Sequence, residues 1–459
     1  MDSWATGNSE PAEPNVLAAP ALRASWVAWP LFLLAVCIVL FWTETGKPVN
    51  NAYACGAECW IDRQDLYHGG IGFIYLPQSA VLYAPFHLLP GPVEQVLWRA
   101  ITIGLFAAGV FRLTRLARPD PWFEFFPLVT LMILPKTWTS AYSGQATPAM
   151  AGLLMMALGA VHEKNWNRCA ALLLAALAFK PLAIVLLLLL GAIYRPLSWR
   201  LAVGVGIFLA VPYLTQDWRY VNNQYAAALT MFDDAMKIGL TPDWAQVFSL
   251  GSLVGIEISE QWQTVVRIVL AGGTLALCWF VRRNEGDAFV PTPCGTLGAN
   301  SADLDSRSEI LPLTQRPALP TTSRAAPELH FIYALSVCYL LLLNPRTENN
   351  SYVMLTPVLA VSFMQAAFVE RRMVRAGLLC AGAVALLAGH AVCDILTPHA
   401  GFVWICPLVC LLFALDCVLG VLPLPARPAM VCADGIEPPV SVPFPRPVRA
   451  GIGRIADAA

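Results

Sequence analysis

Charged side chains are scarce in this sequence. Asp, Glu, Lys and Arg make up 13% of the 459 residues, whereas soluble globular domains carry about 25%. Hydrophobic residues account for 57% and the mean hydropathy is +0.60, so we expect lipid to surround most of the chain. A net charge of −1 supplies no overall basic field, which argues against nucleic acid as a partner.

A cysteine framework is also missing. Most of the 13 Cys residues lie in apolar runs at irregular spacing and are expected to act as small hydrophobic side chains rather than zinc ligands. Cys55 and Cys59 lie four residues apart in a polar stretch; we expect free thiols there, with a disulfide as the alternative. No metal site and no cofactor is predicted, although a divalent cation held by outer acids together with a phosphate stays an open alternative.

Long apolar runs are what the sequence has in abundance. A membrane-crossing helix needs about 20 apolar residues, so the runs predict an all-α polytopic transmembrane bundle of about 11 to 13 helices. The run 167–194 is long for one crossing and is interrupted at Lys180-Pro181, because proline removes a backbone donor; two short helices meeting there would account for it. The candidate spans are residues 26–43, 71–90, 94–114, 122–139, 146–162, 167–194, 199–215, 263–282, 330–345, 352–369, 374–393 and 400–422.

Basic residues in the short loops predict the orientation, since Lys and Arg accumulate on the cytoplasmic side. This rule leaves 44–70, 216–262 and 344–351 as outer segments. If residues 71–90 crossed the membrane fully, the basic cluster Arg112, Arg115 and Arg118 would lie outside. The three prolines of 71–90 favour a broken or re-entrant segment instead, and both alternatives stay open. The basic clusters are Arg112, Arg115 and Arg118; Lys164 and Arg168; Arg195 and Arg200; Arg282 and Arg283; and Arg371, Arg372 and Arg375.

Polar, proline-rich stretches divide the chain. Residues 1–24 lack the basic segment of a signal peptide and are predicted to be a disordered tail, as are residues 424–459. The transmembrane domain is therefore predicted over 25–423, with a disordered cytoplasmic linker at 285–328. No internal repeat is visible, which weakens the case for a transporter built from inverted repeats.

The outer segment 44–70 carries a group of acids. In a short helix over 52–66, Glu58, Asp62 and Asp65 fall on one face at positions i, i+4 and i+7. A carboxylate at a membrane surface can act as general base toward a sugar hydroxyl, so these three are the candidate catalytic residues. The alternative is that they form the solvated face of an interfacial helix.

Polar residues within apolar helices are costly and mark functional or packing sites. Gln145 opens a predicted helix, where its amide can bind a sugar hydroxyl. Lys180 needs an anionic partner, for which a lipid phosphate is suitable; snorkelling from a short helix end is the alternative. Tyr75 belongs to an aromatic and proline-rich stretch that forms either a wall for a lipid or sugar or an interfacial aromatic belt.

The segment 344–351 joins two apolar runs through polar residues. Arg346 can bind a phosphate with two parallel hydrogen bonds, and Glu348 or Asn349 can bind hydroxyls. A plain hairpin loop would explain the Asn, Pro and Ser residues of this segment but explains Arg346 and Glu348 less well.

Short stretches occur in a distinctive order along the chain. These stretches are Gln64-Asp65-Leu66-Tyr67, Tyr75-Leu76-Pro77, Pro85-Phe86-His87-Leu88-Leu89-Pro90, Trp98-Arg99, Gly144-Gln145 and Phe179-Lys180-Pro181. In this order they resemble the polyprenyl-phosphate-dependent glycosyltransferases of family 87, which include bacterial α-mannosyltransferases of the GT-C class. The resemblance is clear over about residues 44–200 and looser to about residue 370.

The resemblance implies a GT-C-like membrane fold and a hexosyltransferase. It further implies a polyprenyl-phosphate sugar such as a mannose-like hexose as donor and a lipid or glycan as acceptor on the outer face of a bacterial plasma membrane. It also implies one outer Asp as general base, with inversion at the anomeric centre.

One departure from the family concerns that base. The family's Asp usually lies shortly after the first helix, where this chain has Asn50-Asn51, and an Asn cannot take a proton. Either Glu58, Asp62 or Asp65 replaces it, with the two Asp residues favoured, or Glu44 does. Otherwise the protein is a catalytically inactive assembly protein of the same fold; a lipid or sugar transporter or flippase is a further alternative, although most charges lie in loops.

Overall fold

Helices, most of them apolar, make up the regular structure of the described part of the chain. A computed structural model describes residues 18–43, 49–68, 72–117, 125–237, 245–256, 258–287, 326–345, 347–397 and 403–421, and within these ranges no β-strand is found. The predicted all-α fold is therefore confirmed. The α-helices are α1 (Ala18–Thr43), α2 (Asn50–Ile61), α3 (Pro77–His87), α4 (Gly91–Ala117), α5 (Phe126–Tyr142), α6 (Thr147–His162), α7 (Trp166–Phe179), α8 (Ile184–Ile193), α9 (Arg195–Ala210), α10 (Trp218–Lys237), α11 (Val247–Leu253), α12 (Glu260–Asp287), α13 (Pro327–Leu343), α14 (Thr356–Met364), α15 (Met373–Leu396) and α16 (Ile405–Val421).

Helix length separates two classes among the described elements. Five segments are long and apolar enough to cross a membrane, and six further apolar helices are 10–17 residues long. Among the described residues the five long segments are therefore fewer than the 11 to 13 membrane helices predicted, and the six shorter helices fall below the length of a full crossing. The long segments are Pro20–Trp42, Gly91–Ala117, Arg195–Leu214, Glu260–Arg283 and Asn349–Val369.

One end of the bundle, called the basic end below, gathers the turns that carry Lys and Arg. Arg112 near the end of α4 pairs with Glu163, which follows α6. The guanidinium of Arg282 in α12 lies 4.3 Å from the ring centroid of Tyr194, between α8 and α9. The structure thus brings distant basic turns to the same end of the molecule.

The start of α13 and the end of α14 also lie at the basic end. The backbone N–H of Ala326 donates to the carbonyl of Leu116 at the end of α4, over 3.0 Å. His330 Nε2 lies 3.2 Å from the hydroxyl oxygen of Ser362. These contacts fix the direction of α13 and α14 relative to α4.

The helix α3 resolves the alternatives for 71–90. It has 11 residues, which at about 1.5 Å per residue is half the length needed to cross a membrane. The broken-segment alternative is therefore the correct one. Helix α4 runs to the basic end from the opposite end of the bundle, called the polar end below, where Gln145, Lys180 and Glu348 lie. The nearby Cys55 and Cys59 are free thiols, as expected.

The run 167–194 folds into two short helices, as its proline predicts. Helix α7 ends at Phe179, Lys180 is extended at φ −156° and ψ 132°, and a 3₁₀ turn leads into α8. The rings of Trp166 and Tyr194 lie 5.7 Å apart, so the far ends of α7 and α8 meet. Lys180 is therefore the apex of a helical hairpin, opposite the basic end.

Glycine allows α4 and α6 to cross closely. A Cβ on Gly109 would lie 2.5 Å from the Cα of Gly152, and a Cβ on Gly152 would collide with the carbonyl of Leu105. Small residues at a helix crossing permit this close approach in membranes. The crossing matters for the site, because α4 and α6 carry several of its supporting residues.

Domain boundaries differ from the prediction at three points. Residues 18–24, which were assigned to the tail, begin α1; their alanines favour helix. Helix α12 extends to Asp287, past the predicted start of the linker 285–328, and α13 begins at Pro327. The rest of the predicted tails and linker lies outside the described residues, and residues up to Leu419 form one compact unit.

Candidate functional site

A line of hydrogen bonds joins Lys180 to Glu348 at the polar end of the bundle. Lys180 Nζ donates to the hydroxyl of Thr147 over 3.0 Å, and this hydroxyl lies 3.3 Å from the amide oxygen of Gln145, to which it donates. Gln145 Nε2 donates to Glu348 Oε2 over 2.8 Å. Three of the predicted binding residues, which are distant in the sequence, are thereby brought together.

Lys180 is positioned by donors that bind the end of α7. The hydroxyl of Tyr53 donates to the carbonyl of Phe179 over 2.9 Å, and the hydroxyl of Ser79 donates to the carbonyl of Ala178 over 2.7 Å. The last carbonyls of a helix have no partner within it, so these bonds stabilise the break at Lys180-Pro181. Both donors come from the short helices α2 and α3.

Gln145 is positioned by Trp98 and Arg99 of α4. Trp98 Nε1 donates to the carbonyl of Gly144 over 2.8 Å. The fully buried Arg99 donates to the carbonyls of Ala141 and Tyr142 at the end of α5, over 3.0 and 2.7 Å. The Trp98-Arg99 stretch thus binds the backbone of the loop that carries Gly144-Gln145.

The segment around Glu348 is bound from the opposite side by α5 and α16. Lys136 Nζ donates to Asn349 Oδ1 over 3.1 Å, and Cys406 Sγ donates to the same oxygen over 3.0 Å. The hydroxyl of Ser140 donates to the carbonyl of Asn350 over 3.1 Å. Asn349 therefore holds the loop in place and is absent from the lining of the cavity described next.

A cavity of about 370 Å³ lies between α8, α12 and α13. Its polar side chains are those of Tyr75, Lys180, Arg267, Tyr339, Asn344 and Glu348. The remaining lining is mostly apolar and includes Ile184, Val185, Met231, Phe232, Leu340 and Leu343. Two cations, one carboxylate and a hydrocarbon wall suit an amphiphile with an anionic head group.

The two cations that line the cavity, Lys180 and Arg267, outnumber its one described carboxylate, Glu348. The carboxylate of Glu348 attracts the ammonium of Lys180, although no ion pair joins the two among the described residues. Arg267 donates from Nε to the carbonyl of Leu343 over 2.9 Å and from Nη2 to Gln263 Oε1 over 3.2 Å. Neither of these oxygens is charged, so the cavity keeps an excess of positive charge.

Tyr75 forms an aromatic wall of the cavity. Its ring stacks on that of Tyr53 at a centroid distance of 4.2 Å and an interplanar angle of 21°. Burial raises the pKa of the Tyr75 phenol, and the nearby Glu348 carboxylate raises it further. The phenol therefore stays protonated at neutral pH.

Sequence reasoning missed Arg267. It lies within the predicted span 263–282, and a lone Arg near the start of an apolar run was the available signal. The structure places it in the cavity beside Phe248, whose ring centroid lies 5.3 Å from the guanidinium carbon.

The structure does not bring Glu58, Asp62 and Asp65 to this cavity. All three residues are exposed and none belongs to its lining. The helix that would align them ends too early, because α2 ends at Ile61 and Arg63 adopts a left-handed φ of 59°. Asp65 Oδ1 instead accepts from the backbone N–H of Tyr67 over 3.1 Å, so these acids form a solvated surface.

The position of the family's missing Asp is also outside the cavity lining. Asn50 is fully buried and donates from Nδ2 to the hydroxyl of Tyr83 over 3.3 Å, while Asn51 is exposed. Two further predicted candidates, Glu44 and Arg346, lie outside the described residues. In the described part of the chain no group of three or more His, Cys, Asp or Glu side chains could hold a metal ion.

Comparison with known proteins identifies one family. The model of glycosyltransferase family 87 matches residues 73–296, which confirms the resemblance. The matched region contains Tyr75, Gln145, Lys180 and Arg267, and Glu348 lies beyond it. No curated protein and no solved structure matches the chain.

Proposed function

We propose that the chain transfers a hexose from a polyprenyl-phosphate donor to a lipid or glycan acceptor, because it is a membrane protein and its residues 73–296 match the model of glycosyltransferase family 87. The observation that carries this proposal is the convergence of Lys180 and Glu348, from distant segments, on one cavity with an apolar wall. We place this cavity on the outer face of a bacterial plasma membrane, because the basic end opposite it matches the cytoplasmic side.

The donor phosphate would bind between Lys180 and Arg267. Both side chains line the cavity, and neither has an ion-pair partner among the described residues. Charge-assisted hydrogen bonds to phosphate are strong, and Arg267 supplies a planar donor while Lys180 supplies a point charge. The prenyl chain would lie along Ile184 and Val185 of α8 and reach lipid there, since Ile184 is 39% exposed.

Glu348 is the carboxylate best placed to act as general base. It is the one acid among the described residues that line the cavity, and Gln145 donates to its Oε2 atom. The proposal therefore transfers the base role from Asp62, Asp65 and Glu58 to Glu348. A mannose-like hexose is the sugar that the family resemblance suggests.

The reaction would be a single displacement with inversion. The acceptor hydroxyl oxygen attacks the anomeric carbon, its proton passes to Glu348 Oε1, and the bond from the anomeric carbon to the phosphate oxygen breaks. The electron pair leaves with the lipid phosphate, whose charge Lys180 and Arg267 stabilise. Before the donor binds, Glu348 attracts Lys180; the phosphate would replace it as partner, which leaves Glu348 free to accept the proton.

A catalytically inactive assembly protein of the same fold is the second candidate. The observation that favours it is the pair Asn50-Asn51 where the family has its Asp. An inactive protein would still bind the donor through Lys180 and Arg267 but would transfer no sugar.

Substitution of the acids tests the assignment. We would measure hexose transfer from a radiolabelled polyprenyl-phosphate mannose by the full-length protein in lipid vesicles. Glu348→Gln should lower kcat by about 10² or more, as expected for loss of a general base. The matched variants Asp62→Asn, Asp65→Asn and Glu58→Gln should leave kcat unchanged, because their side chains are solvated.

Other outcomes would decide against this proposal. Loss of transfer in an outer-acid variant together with full activity of Glu348→Gln would return the base role to the outer segment. Donor binding without transfer by the wild-type protein would support the inactive candidate. Movement of the lipid-linked sugar across the vesicle membrane without covalent transfer would support a flippase.

A further inference from the structure

A second cavity lies on the lateral surface, away from the candidate site. It is a groove of about 1060 Å³ between α15 and α16, with Leu359 of α14 at its base. Its floor is formed by the small residues Ala381, Gly382 and Ala385 of α15. At Gly382 the two helices come close, since a Cβ there would lie 3.3 Å from Val409.

The walls of the groove are long apolar side chains open to the surroundings of the bundle. Leu378 is 70% exposed, Leu412 57% and Leu419 62%. Such a surface in a membrane protein faces hydrocarbon. An apolar wall can hold the acyl chain of any lipid. The charges at the end of the groove therefore determine which lipid head group can bind there.

One end of the groove is closed by a network of ion pairs. Arg375 of α15 binds Asp416 of α16 over 2.9 Å and Glu370 over 2.8 Å. This network links the two helices at that end, and both of its carboxylates, Glu370 and Asp416, are paired with Arg375. Glu370 follows α14, so the network lies at the basic end of the bundle.

A second arginine, Arg372, joins this network through a long ion pair and stays largely exposed. The side chain of Arg372 lines the groove, is 66% exposed, and lies 3.8 Å from the shared Glu370. With the exposed Arg371, three arginines stand against two carboxylates, so this end carries an excess positive charge. Its charge complements a phosphate diester.

The length of the groove points to the lipid of one leaflet. Its lining on α15 extends from Met373 to Ala385, which is about 18 Å at the helical rise. The hydrocarbon of a single leaflet is about 15 Å thick. Acyl chains that start beside Arg372 would therefore end within the groove.

We propose that the groove between α15 and α16 binds one anionic glycerophospholipid, with its phosphate against Arg372 and an acyl chain over Ala381, Gly382 and Ala385. The lipid comes from the leaflet at the basic end. This site is independent of the chemistry at Lys180 and Glu348, and the bound lipid would contact both α15 and α16.

Native mass spectrometry of the full-length protein tests the site. The protein is released from nanodiscs that contain equal amounts of phosphatidylglycerol and phosphatidylcholine, and the retained lipid is counted. The wild-type protein should retain one phosphatidylglycerol in preference to phosphatidylcholine. Arg372→Glu should reduce that preference roughly tenfold, because it reverses a charge near the head group.

Matched controls separate the groove from general surface charge. Arg283→Glu changes an exposed Arg of α12 at the same end of the bundle, and it should leave the preference unchanged. Ala385→Phe fills the floor and should abolish retention although Arg372 is intact, whereas Ala276→Phe on the exposed surface of α12 should not.

Three results would overturn the proposal. The first is equal retention of the two lipids by the wild-type protein. The second is a loss of preference in Arg283→Glu as large as in Arg372→Glu. The third is displacement of the lipid by soluble glycerol phosphate, which would show that the arginine end binds free phosphate and that the groove does not hold a chain.

Discussion

Individual side chains at the polar end of the bundle set the electrostatics of the cavity. Lys180 donates to the neutral hydroxyl of Thr147, and Glu348 receives its hydrogen bond from the neutral amide of Gln145. The cation and the carboxylate thus face one cavity while each is bonded to an uncharged partner. An anionic head group can therefore enter between them without breaking an ion pair.

Lys180 is expected to determine donor affinity. Lys180→Ala should raise the donor KM by about 10- to 100-fold, since a hydrogen bond to a charged group contributes about 1.5–3 kcal/mol. The acceptor KM should change little, because the contact is with the phosphate. Steady-state kinetics with varied donor measures this, and Lys164→Ala, at the basic end, is the control. An unchanged donor KM in Lys180→Ala would remove Lys180 from the phosphate site.

At the scale of elements, the site depends on short helices and on loops between long helices. The amino-terminal part of α4 supplies Trp98 and Arg99, which bind the loop after α5. That loop has a left-handed Gly144 at φ 65°, a conformation that is costly for other residues. The orientation of Gln145 and hence of Glu348 therefore depends on one backbone position outside the cavity.

Gly144→Ala is expected to destabilise this loop. A Cβ there would lie 2.8 Å from Asn50 Oδ1 and 3.1 Å from Arg99 Nη2, in addition to a conformational cost of about 1–2 kcal/mol. Thermal unfolding in detergent should show a lower midpoint, with a fall in kcat. Gly104→Ala in α4 is the matched control, because nothing lies within 4 Å of its Cβ, and it should stabilise the helix by roughly 0.5–1 kcal/mol. Equal midpoints for the two variants would contradict the role given to Gly144.

At the scale of the whole molecule, the bundle has two chemically different ends. The arginine-bearing turns of α4, α12 and α15 belong to one end, and the cavity, α2 and α3 belong to the other. The short helix α3 accounts for this division. If α3 crossed the membrane, α4 would start at the basic end, and its arginine-bearing turn would lie at the same end as the cavity.

Sidedness can be measured by labelling with a membrane-impermeant thiol reagent. Asp62→Cys should be labelled in intact cells, because Asp62 is exposed at the polar end. Lys164→Cys should be labelled only after permeabilisation, because it lies at the basic end. The unsubstituted protein gives the background from the native thiols. Labelling of both variants from the same side would contradict the proposed orientation.

The sequence by itself determined the fold class and the break at Lys180-Pro181, and it pointed to several residues of the candidate site. These follow from local rules: apolar runs require helices in lipid, proline interrupts them, and a buried Lys needs an anion. Gln145, Lys180 and Glu348 could be singled out in this way, because polar residues stand out against an apolar background, and their role stays a prediction.

Only the tertiary structure decided which of these residues meet. Glu58, Asp62 and Asp65 are close to the family's motif in the sequence, yet all three are exposed and lie outside the cavity lining. Glu348 is more than 160 residues from Lys180 along the chain and shares a cavity with it. Spacing along a chain gives the face of one helix, whereas contact between helices depends on the packing of all of them, including the glycine crossing of α4 and α6.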